Sequence, residues 1–511
     1  MIESPTRPSD TPAQGASAPL EVDVAVVGAG FSGLGIAIAL KKAGNQSFVV
    51  LERAGDVGGT WRDNQYPGCA CDIPARLYSY SFDRAKSWSR IYPQQPELFA
   101  YLRRIVDKYG LRAHLRLRAE VSEARYDEAT ARWHVLTTGG LRVIAKVLAI
   151  GTGPLSRPAM PHLPGLERFE GPVFHSSRWR HDVPLANRRI AVVGTGASAI
   201  QFVPELQKSV GRMTLYQRTA PWVIPKPDRP VEAALRRLLQ VPGYERLARM
   251  GVYWNHEVRA LGFLGPRKLL EPFEKQSREM LRDQVADPAL RAKLTPTFQM
   301  GCKRILLSNN YYASLAQPNV EVVTEGISEV RERTIVTTDG AQRPADAIVL
   351  GTGFTATEWI TPMRVYGRGG AELTQSWKDG VATYLGINVK GFPNLFLLLG
   401  PNTALGHNSV VLMIEAQIRY LMSTLRFLKR SAVDAIDVKP EVQDRFDTAL
   451  HADMRGTVWL SGCKSWYLDE NGRNTTLWPG YTFDYFRRTK ALDARRYEHL
   501  LATATDGRAA V

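Results

Sequence analysis

Cysteine is scarce in this chain of 511 residues, which contains four of them. Cys69 and Cys71 are spaced CxC, while Cys302 and Cys463 stand far apart, so the pattern of a zinc site is absent. The same spacing suggests no disulfide framework, and a reducing compartment fits this composition. The sequence therefore predicts neither a metal site nor a fold held together by disulfides.

Long apolar runs are also absent from the sequence. None approaches the ~18 residues that a membrane-spanning helix requires. Residues 1–20 lack the apolar segment of a secretion signal, and their proline, serine, threonine and alanine content indicates a disordered tail. Residues 411–430 have the pattern of an amphipathic helix, which favours packing against a sheet over a membrane role. We expect a cytoplasmic protein without a membrane partner.

Acidic residues are the less common charged type. The chain has 66 lysine and arginine residues against 50 aspartate and glutamate residues, which gives a formal net charge of +16. The cationic residues are scattered, with no dense tract and no nucleic-acid-binding motif. This charge favours anionic small-molecule ligands and a basic surface, and we expect no nucleic-acid partner.

The length and the motif order predict more than one α/β domain. A single core rarely exceeds about 250–300 residues, so two or three domains are expected. Two segments, beginning at residues 22 and 188, each have the order strand, glycine turn, helix and strand. Residues 225–300 have helical periodicity with many charges, which indicates a helical insertion in the second domain.

The first glycine turn has the pattern of a dinucleotide site. Gly28, Gly30 and Gly33 form GxGxxG between a strand and a helix, where backbone N–H groups and the helix N-terminus attract a pyrophosphate. Glu52 ends the next strand, 24 positions after Gly28, where a carboxylate can bind ribose hydroxyls. This site is predicted to bind FAD or NAD.

The second turn differs in the residue that follows its second strand. Gly194, Gly196 and Ala199 form GxGxxA, and Arg218 stands 24 positions after Gly194. A guanidinium there can bind a ribose 2′-phosphate, and Thr219 can add a hydroxyl donor. The second site is therefore predicted to bind NADPH.

Two such sites in one chain suggest hydride transfer from a nicotinamide to a flavin. A disulfide reductase would also need a redox pair near the first site, and the CxC spacing of Cys69 and Cys71 makes a poor one. We predict an α/β fold with two Rossmann-like dinucleotide-binding domains. The expected organisation is a tail at 1–20, an FAD-binding domain made of 21–160 and 346–490, an NADPH-binding domain at 161–345 with its insertion at about 225–300, and a C-terminal tail at 491–511.

A linker-like segment carries the pattern of a known family. Phe169, Gly171, His175 and Trp179 match FxGxxxHxxxW, and the sequence resembles the Baeyer–Villiger monooxygenases within the flavin-containing monooxygenases. Arg180 follows the tryptophan, where that family usually has proline or aspartate. The resemblance extends from about residue 20 to residue 490 through further motifs, which read GGTWRDNQYPGCACD, GCKRILLSNNYY, DAIVLGTGF, GPNTALGHNSV and KSWYLDENGRNTTLWPG.

The resemblance implies specific roles for residues in these motifs. Arg304 would be the catalytic cation, Asp72 would orient it, and His175 would act where the two domains join. Lys303 would help to hold the 2′-phosphate, and Trp466 would contact nicotinamide or substrate. The full set of expected cofactor-binding residues is Gly28, Gly30, Gly33, Glu52, Gly59, Thr60, Trp61, Asp72, Tyr78, Gly194, Gly196, Ser198, Ala199, Arg218, Thr219, Lys303 and Trp466.

The resemblance also implies an activity. FAD reduced by NADPH would react with O2, and a flavin peroxide would insert one oxygen atom next to a ketone carbonyl to give an ester or lactone. Two alternatives remain open at this point: an N- or S-oxygenating monooxygenase, and a flavoprotein that only oxidises NADPH or binds the cofactors. The substrate and the oligomeric state are not predicted by the sequence.

Overall fold

The computed structural model describes residues 18–85, 88–239 and 241–503. The strands are β1 Leu20–Val27, β2 Phe48–Glu52, β3 Leu115–Leu117, β4 Val121–Asp127, β5 Arg132–Thr137, β6 Arg142–Ile150, β7 Val173–His175, β8 Arg189–Val193, β9 Arg212–Tyr216, β10 Val223–Ile224, β11 Leu306–Leu307, β12 Val320–Val323, β13 Ile327–Arg331, β14 Thr334–Thr337, β15 Gln342–Pro344, β16 Ala347–Leu350, β17 Arg364–Tyr366, β18 Leu395–Leu397, β19 Ala435–Val438 and β20 Tyr497–Leu500. The α-helices are α1 Phe31–Lys42, α2 Thr60–Asp63, α3 Gln95–Lys108, α4 Ala199–Gln207, α5 Ala233–Leu238, α6 Tyr244–Glu257, α7 Ala260–Leu264, α8 Glu271–Gln284, α9 Pro288–Leu294, α10 Tyr311–Leu315, α11 Leu373–Ser376, α12 Val410–Arg430, α13 Pro440–Met454 and α14 Thr482–Arg488.

The first sheet is built around β1, whose residues from Val24 onward are buried and apolar, as in a parallel strand covered on both faces. Its order is β17-β4-β5-β6-β1-β2-β3, and β18 also pairs with β6. β1 runs parallel to both β2 and β6, while β4, β5 and β6 form an antiparallel meander. The carboxyl ends of β1 and β2 therefore meet at one edge, where the first glycine turn and Glu52 lie.

The second sheet has the order β12-β9-β8-β16-β7, and all its pairs are parallel. Together the two sheets confirm the predicted α/β fold with two Rossmann-like units. The predicted domain boundary at residue 346 differs from the structure. β16 lies between β8 and β7, because its apolar residues are buried on both faces of the second sheet, so the first domain resumes only after this strand.

Helix α12 packs against the two-stranded sheet of β19 and β20, as predicted, since the hydroxyl of Tyr420 lies 2.6 Å from that of Tyr497 in β20. It also contacts α1 and α14. A Cβ atom added to Gly35 of α1 would lie 2.6 Å from Ile418 of α12, so the glycine allows close approach of the two helices. Helices α5 to α9 lie between residues 233 and 294, within the range predicted for the insertion.

Both predicted tails are shorter than expected where the structure describes them. β1 begins at Leu20, and residues 1–17 lie outside the described part of the chain. β20 pairs antiparallel with β19, so ordered structure continues to Leu500, and residues 504–511 lie outside the described part. Among the described residues, the helices are all too short or too polar to cross a membrane.

The chain passes between the two domains through segments that pair with each other. Pro158, after β6, forms an antiparallel bridge with Phe354, after β16. Ala159 N donates to Gly353 O at 2.9 Å, and Thr355 N donates to Arg157 O at 3.1 Å. These two crossing segments, residues 157–159 and 353–355, therefore form a short double-stranded connection between the domains.

Candidate active site

Both glycine turns press against the end of another strand in their own sheet. Gly28 has φ +98°, and a Cβ atom there would lie 2.8 Å from the carbonyl oxygen of Gly151, which follows β6. Gly194 has φ +104°, and a Cβ atom there would lie 2.5 Å from the carbonyl oxygen of Gly351, which follows β16. Only glycine fits these positions, so each turn stays tight against its sheet and a pyrophosphate can approach its backbone.

The other positions of the first turn also require small residues. A Cβ atom at Gly33 would lie 1.8 Å from the carbonyl oxygen of Gly28, which excludes any side chain. Gly59 has φ +52°, and a Cβ atom there would lie 3.3 Å from the Cα atom of Gly30. The second glycine motif thus lies against the first, and together they form a cradle for a ligand. In the second turn Ala199 takes the third position and is buried.

Glu52 is buried at the end of β2 and holds the loops around the first turn. Its Oε2 accepts a hydrogen bond from Ala29 N at 2.9 Å. Its Oε1 accepts from Ala54 N at 3.0 Å and from Arg62 Nη1 at 2.9 Å. Arg62 therefore compensates the buried charge, and Oε2, which accepts only one of these bonds, keeps acceptor capacity for a ribose hydroxyl.

Three further residues predicted for the FAD site lie together beside Gly59. Two of them follow it in the chain, and the third contacts this segment. Thr60 begins helix α2, and Trp61 is buried within it. The Trp61 Nε1–H donates to the Tyr78 hydroxyl at 3.3 Å, and the two rings meet edge to face at 5.5 Å. All three residues line the cleft between the two turns.

Two cations converge beyond the second turn. Arg218 is exposed, two residues after the end of β9, and has no carboxylate partner among the described residues. Burial and the positive charge of Arg218 lower the pKa of Lys303. Thr219 O accepts from Thr195 Oγ1 at 3.2 Å, and Ser198 directly precedes helix α4. This pair of like charges without a local anion is suited to a phosphate group.

A single cleft of about 1200 Å³ contains both turns. Its lining includes the glycines of both turns except Gly33, which packs beneath the first turn, together with Arg218 and Lys303. It also includes Asp72, Arg304 and Trp466. The volume exceeds the ~300–1,000 Å³ typical of a single small-ligand pocket, so two cofactors and a substrate can share it.

Arg304 and Asp72 form an ion pair in this cleft. Arg304 Nη2 and Nε both donate to Asp72 Oδ2, at 2.6 and 3.0 Å. The carboxylate raises the pKa of Arg304 against the effect of burial. Burial opposes ionisation of Asp72, but Arg304 and Lys226 outweigh it and lower the pKa of the carboxyl. The cleft therefore holds a permanent cation fixed by an ionised carboxylate.

Two aromatic residues lie beside this ion pair. Tyr467 is buried, and burial raises the pKa of its hydroxyl to about 12 although the neighbouring Arg304 acts in the opposite direction. Trp466 is partly exposed at the cleft wall, and its ring centroid lies 4.5 Å from that of Tyr467. Both come from the loop that follows α13, whereas Arg304 precedes β11.

Comparison with known proteins identifies the family. The chain is 46% identical over 483 residues to a Baeyer–Villiger monooxygenase of Pseudomonas aeruginosa, covering 94% of this chain and 92% of the relative. It is 47% identical over 482 residues to a Baeyer–Villiger monooxygenase of Streptomyces coelicolor, covering 94% and 93%. This chain belongs to the Baeyer–Villiger monooxygenases.

Broader comparisons agree with this assignment. Residues 25–261 match the family model for pyridine nucleotide-disulphide oxidoreductases. A solved oxidised steroid monooxygenase bound to NADP is 31% identical, with TM-score 0.84, covering 94% of this chain and 99% of that one. A cyclohexanone monooxygenase from Rhodococcus sp. Phi1 bound to NADP+ is 28% identical, with TM-score 0.85, covering 94% and 100%. This Baeyer–Villiger monooxygenase therefore carries out the FAD- and NADPH-dependent insertion of an oxygen atom from O2 into a small-molecule substrate.

The cysteines of this Baeyer–Villiger monooxygenase correct one prediction. Cys302 and Cys463 form a disulfide, although the sequence had suggested none. They stand 161 residues apart in the chain, and only folding of the insertion against the α13 loop brings them together. Cys302 directly precedes Lys303 and Arg304, so the bond joins the segment that carries these two cations to the loop that carries Trp466.

Cys69 and Cys71 are free and buried, as expected for residues that do not form a redox pair. Burial raises the pKa of both thiols, that of Cys69 to about 12. A thiol that stays protonated is a poor nucleophile. These buried, unbonded thiols therefore lack the activated cysteine that a dithiol redox pair requires.

The FxGxxxHxxxW segment forms part of the second sheet and is more than a linker. His175 is the last residue of β7, which pairs with β16 at the sheet edge. A Cβ atom at Gly171 would lie 2.4 Å from the carbonyl oxygen of Asp346. The Trp179 ring packs edge to face on Phe174 at 5.3 Å. The spacing of the motif is therefore set by packing at this edge.

His175 lies between this edge and the crossing segments. Its ring meets that of Phe354 edge to face at 5.6 Å, and Phe354 belongs to the paired crossings. Nδ1 of His175 accepts from Ser177 N at 3.1 Å. Nε2 is buried and makes no well-formed hydrogen bond within the described residues. Burial lowers the pKa of the imidazole, against an opposing interaction with the backbone of Gly353 in the crossing segment.

Several site residues were not predicted from the sequence. Gly151 and Gly351 receive the two turns, and the sequence does contain a signal for them, because GTG occurs at 151–153 and again at 351–353 after apolar runs. Arg62, which pairs with Glu52, and Lys226, which helps to ionise Asp72, have no comparable signal. Lys226 acts on Asp72 from a distant segment, whereas Arg62 lies 10 residues after Glu52 at a spacing that is not a known signal.

Proposed function

We propose that Arg304 is the group that makes ketone oxidation possible in this enzyme, and that Asp72 positions it. The observation that carries this proposal is the Arg304–Asp72 ion pair in the cleft that contains both glycine turns. Bound FAD, once reduced, supplies the electrons that activate O2. The chain itself contributes binding, orientation and a fixed positive charge.

The charge of Arg304 suits an oxygen-insertion reaction on a carbonyl. Attack on a carbonyl carbon places negative charge on oxygen, and a preorganised cation stabilises that charge best in a site shielded from water. Arginine cannot lose its proton in this range of pH, and Asp72 raises its pKa further. Only Nε and Nη2 of Arg304 donate to Asp72, so other N–H groups of the guanidinium remain for the Tyr467 hydroxyl and for a further ligand.

The residues around both turns fit the two cofactors. Glu52 and the glycine cradle suit the ribose and pyrophosphate of FAD. Arg218 and Lys303 suit the 2′-phosphate of NADPH, since neither has a carboxylate partner among the described residues. We propose Trp466 as a contact for nicotinamide or substrate, because it is exposed at the cleft wall beside Tyr467.

We propose that His175 couples the two domains and does not touch the flavin. It packs on Phe354 of the paired crossings and ends a strand of the second sheet, so domain motion would pass through it. The buried Nε2 of His175 makes no well-formed hydrogen bond here, and a second arrangement of the domains could supply one.

The substrate class proposed is a small-molecule ketone, with O2 as co-substrate. We also propose the cytoplasm as the location, because the enzyme consumes NADPH, which cells regenerate there. The Cys302–Cys463 disulfide is uncommon in that compartment, so cell fractionation of a tagged full-length chain is a useful check.

The proposal is tested with the FAD-loaded enzyme, NADPH and isotopically labelled O2. A panel of linear, cyclic and aromatic ketones is supplied alongside sulfides, and products are identified by mass spectrometry. An ester or lactone that carries one labelled oxygen is the expected result. Arg304→Ala should abolish it while FAD stays bound. Sulfoxides without esters would indicate the S-oxygenating alternative, and hydrogen peroxide without any oxygenated product would indicate an NADPH oxidase.

A further inference from the structure

Helix α6 exposes its apolar residues. Leu247, Met250, Trp254 and Val258, which directly follows the helix, are 63%, 51%, 50% and 58% exposed. At about 100° per residue these four positions fall on one side of the helix. They form an exposed stripe, called the α6 stripe below. Most surface helices have the opposite arrangement, with apolar residues turned inward.

The buried side of α6 is polar and holds the helix in this orientation. Glu257 accepts hydrogen bonds from Asn408 Nδ2 at 2.8 Å and Thr482 Oγ1 at 2.7 Å. Arg249 Nη1 donates to Ser79 O at 3.2 Å. Rotating the helix would break these bonds and leave a buried charge unpaired, which is costly. The outward direction of the α6 stripe is therefore a fixed feature of the fold.

The apolar surface continues beyond α6. The Phe483 ring lies 6.3 Å from that of Trp254, and both rings are exposed. Contiguous exposed apolar patches on soluble proteins mark surfaces that contact something else. Further exposed apolar residues from neighbouring segments of the insertion are Leu238, Val241, Leu261 and Leu269.

The same segment is strongly basic. Residues 233–270 contain seven arginine or lysine residues and two glutamate residues. Glu245 forms an ion pair with Arg84, and Glu257 is buried. The exposed cations, for which the described residues offer no carboxylate partner within ion-pair distance, are Arg236, Arg237, Arg246, Arg259, Arg267 and Lys268.

We propose that the α6 stripe and these six cations bind the surface of an anionic phospholipid membrane. Leucine, methionine and tryptophan side chains suit the boundary between headgroups and acyl chains, while arginine and lysine suit the phosphates around them. The insertion would lie on the membrane and not cross it. This departs from the expectation of no membrane partner, which depended on run length and on residues 411–430.

Charge favours a membrane over a second copy of this chain. Each copy has a formal net charge of +16, and two α6 stripes brought together would bring two sets of unpaired cations together. An anionic lipid surface neutralises the same charges. The attraction should weaken with added salt, because exposed charges are screened.

The proposed surface lies behind one wall of the active-site cleft. Phe263 of α7 stacks on Trp459 with ring centroids 6.0 Å apart. The same apolar cluster contains Ala404 and Leu477, which line the cleft. Membrane binding would therefore hold the cleft close to a phase in which apolar ketones accumulate.

Vesicle sedimentation tests the proposal with the full-length, FAD-loaded enzyme. Vesicles that contain phosphatidylglycerol in phosphatidylcholine should bind the enzyme, and vesicles of phosphatidylcholine alone should bind it at least about tenfold more weakly. The triple variant Leu247→Ser/Trp254→Ser/Val258→Ser should lose at least about tenfold in binding to the anionic vesicles while it retains FAD.

Two further variants keep the test decisive. Leu117, Leu136 and Leu501 are also exposed but lie outside the insertion, so changing these three to serine should leave vesicle binding unchanged. A second triple variant, Arg246→Glu/Arg267→Glu/Lys268→Glu, changes only exposed residues and should also abolish vesicle binding. It tests the proposal independently if the apolar variant fails to fold. Absence of vesicle binding by the unaltered enzyme, or equal losses in the control, would overturn the proposal. So would a dimer, detected by light scattering, that the stripe variant dissociates.

Discussion

Arg304 contacts only one carboxylate oxygen of Asp72, through two hydrogen bonds of 2.6 and 3.0 Å. Because two nitrogens on one edge of the guanidinium donate to the same oxygen, the orientation of its plane is fixed. Asp72 Oδ1 makes no hydrogen bond to Arg304, so the carboxylate holds only this edge of the cation. The relationship links a loop of the first domain to the segment before β11 and depends on the two domains being correctly placed.

The Arg304→Ala variant should abolish ester formation, with a loss of at least about 10²-fold in kcat, because one preorganised charge contact is removed from the reacting oxygen. FAD should remain bound, since the glycine cradle and Glu52 are untouched. Product analysis and the flavin absorbance of the purified variant measure both effects. Ester formed at close to the original rate would contradict the assigned role, and complete loss of flavin would make Arg304 a structural residue.

Arg304→Lys is the matched control for charge alone. An ammonium group has no planar fork and cannot donate two hydrogen bonds to one oxygen of Asp72 in the same orientation. The lysine variant should therefore recover only part of the activity.

Arg218→Ala should raise the KM for NADPH by roughly one to two decades, because a charge-assisted contact with phosphate contributes roughly 1.5–3 kcal/mol. The KM for NADH should hardly change, since that coenzyme lacks the 2′-phosphate. Steady-state NAD(P)H oxidation with both coenzymes gives the comparison. Parallel increases for the two coenzymes would show that Arg218 does not recognise the phosphate.

The glycine turns show how much of this site local sequence can predict. The strand–turn–helix order of Gly28 and Gly194, together with the opposite charges of Glu52 and Arg218, predicted two dinucleotide sites and the confirmed pair of cofactors. These signals are local, because each turn requires particular residues at fixed offsets. The family motifs then indicated Arg304 and Asp72, which the structure brings into contact across 232 positions of the chain.

Other features depend on contacts between distant segments and had no local signal. Cys302 and Cys463 lack any spacing that marks a disulfide, and only the packing of the insertion on the α13 loop makes them neighbours. The sequence of α6 does not indicate whether its apolar side faces the protein or the solvent. Buried hydrogen bonds of Glu257 decide which side faces outward.

The Cys302–Cys463 disulfide should be detectable by thiol titration. The denatured enzyme should show two free thiols without reductant and four after reduction. Four thiols before reduction would show that the bond is not formed. The bond closes a large loop, so Cys463→Ser should lower the free energy of unfolding by about 2–4 kcal/mol.

The same variant should also consume more NADPH without forming product, because the bond fastens the Trp466 loop to the segment that carries Arg304. Dithiothreitol should produce both effects in the unaltered enzyme and neither in Cys463→Ser, which makes the variant its own control. A variant with unchanged stability and unchanged coupling of NADPH to product would show that the bond does not hold the cleft wall.

The last prediction concerns the pH dependence of stability through His256, on the buried side of α6. Burial, followed by the charges of Arg259 and His407, lowers the pKa of this imidazole from 6.5 to about 4, against a weaker effect of its hydrogen bond to Val252 O. Below pH 6.5 the unfolded chain binds a proton that the folded chain does not, so this contribution to stability is present at neutral pH and is lost as the pH falls towards 4. The loss should reach roughly 2–3 kcal/mol, because one pKa unit corresponds to about 1.4 kcal/mol.

Urea unfolding gives the free energy of unfolding of the enzyme and of His256→Gln between neutral pH and pH 4. The stability difference between the two proteins should narrow on acidification, because only the unaltered enzyme loses the contribution of His256. A stability difference that stays constant over this range would show that His256 binds protons equally well in the folded and unfolded chain.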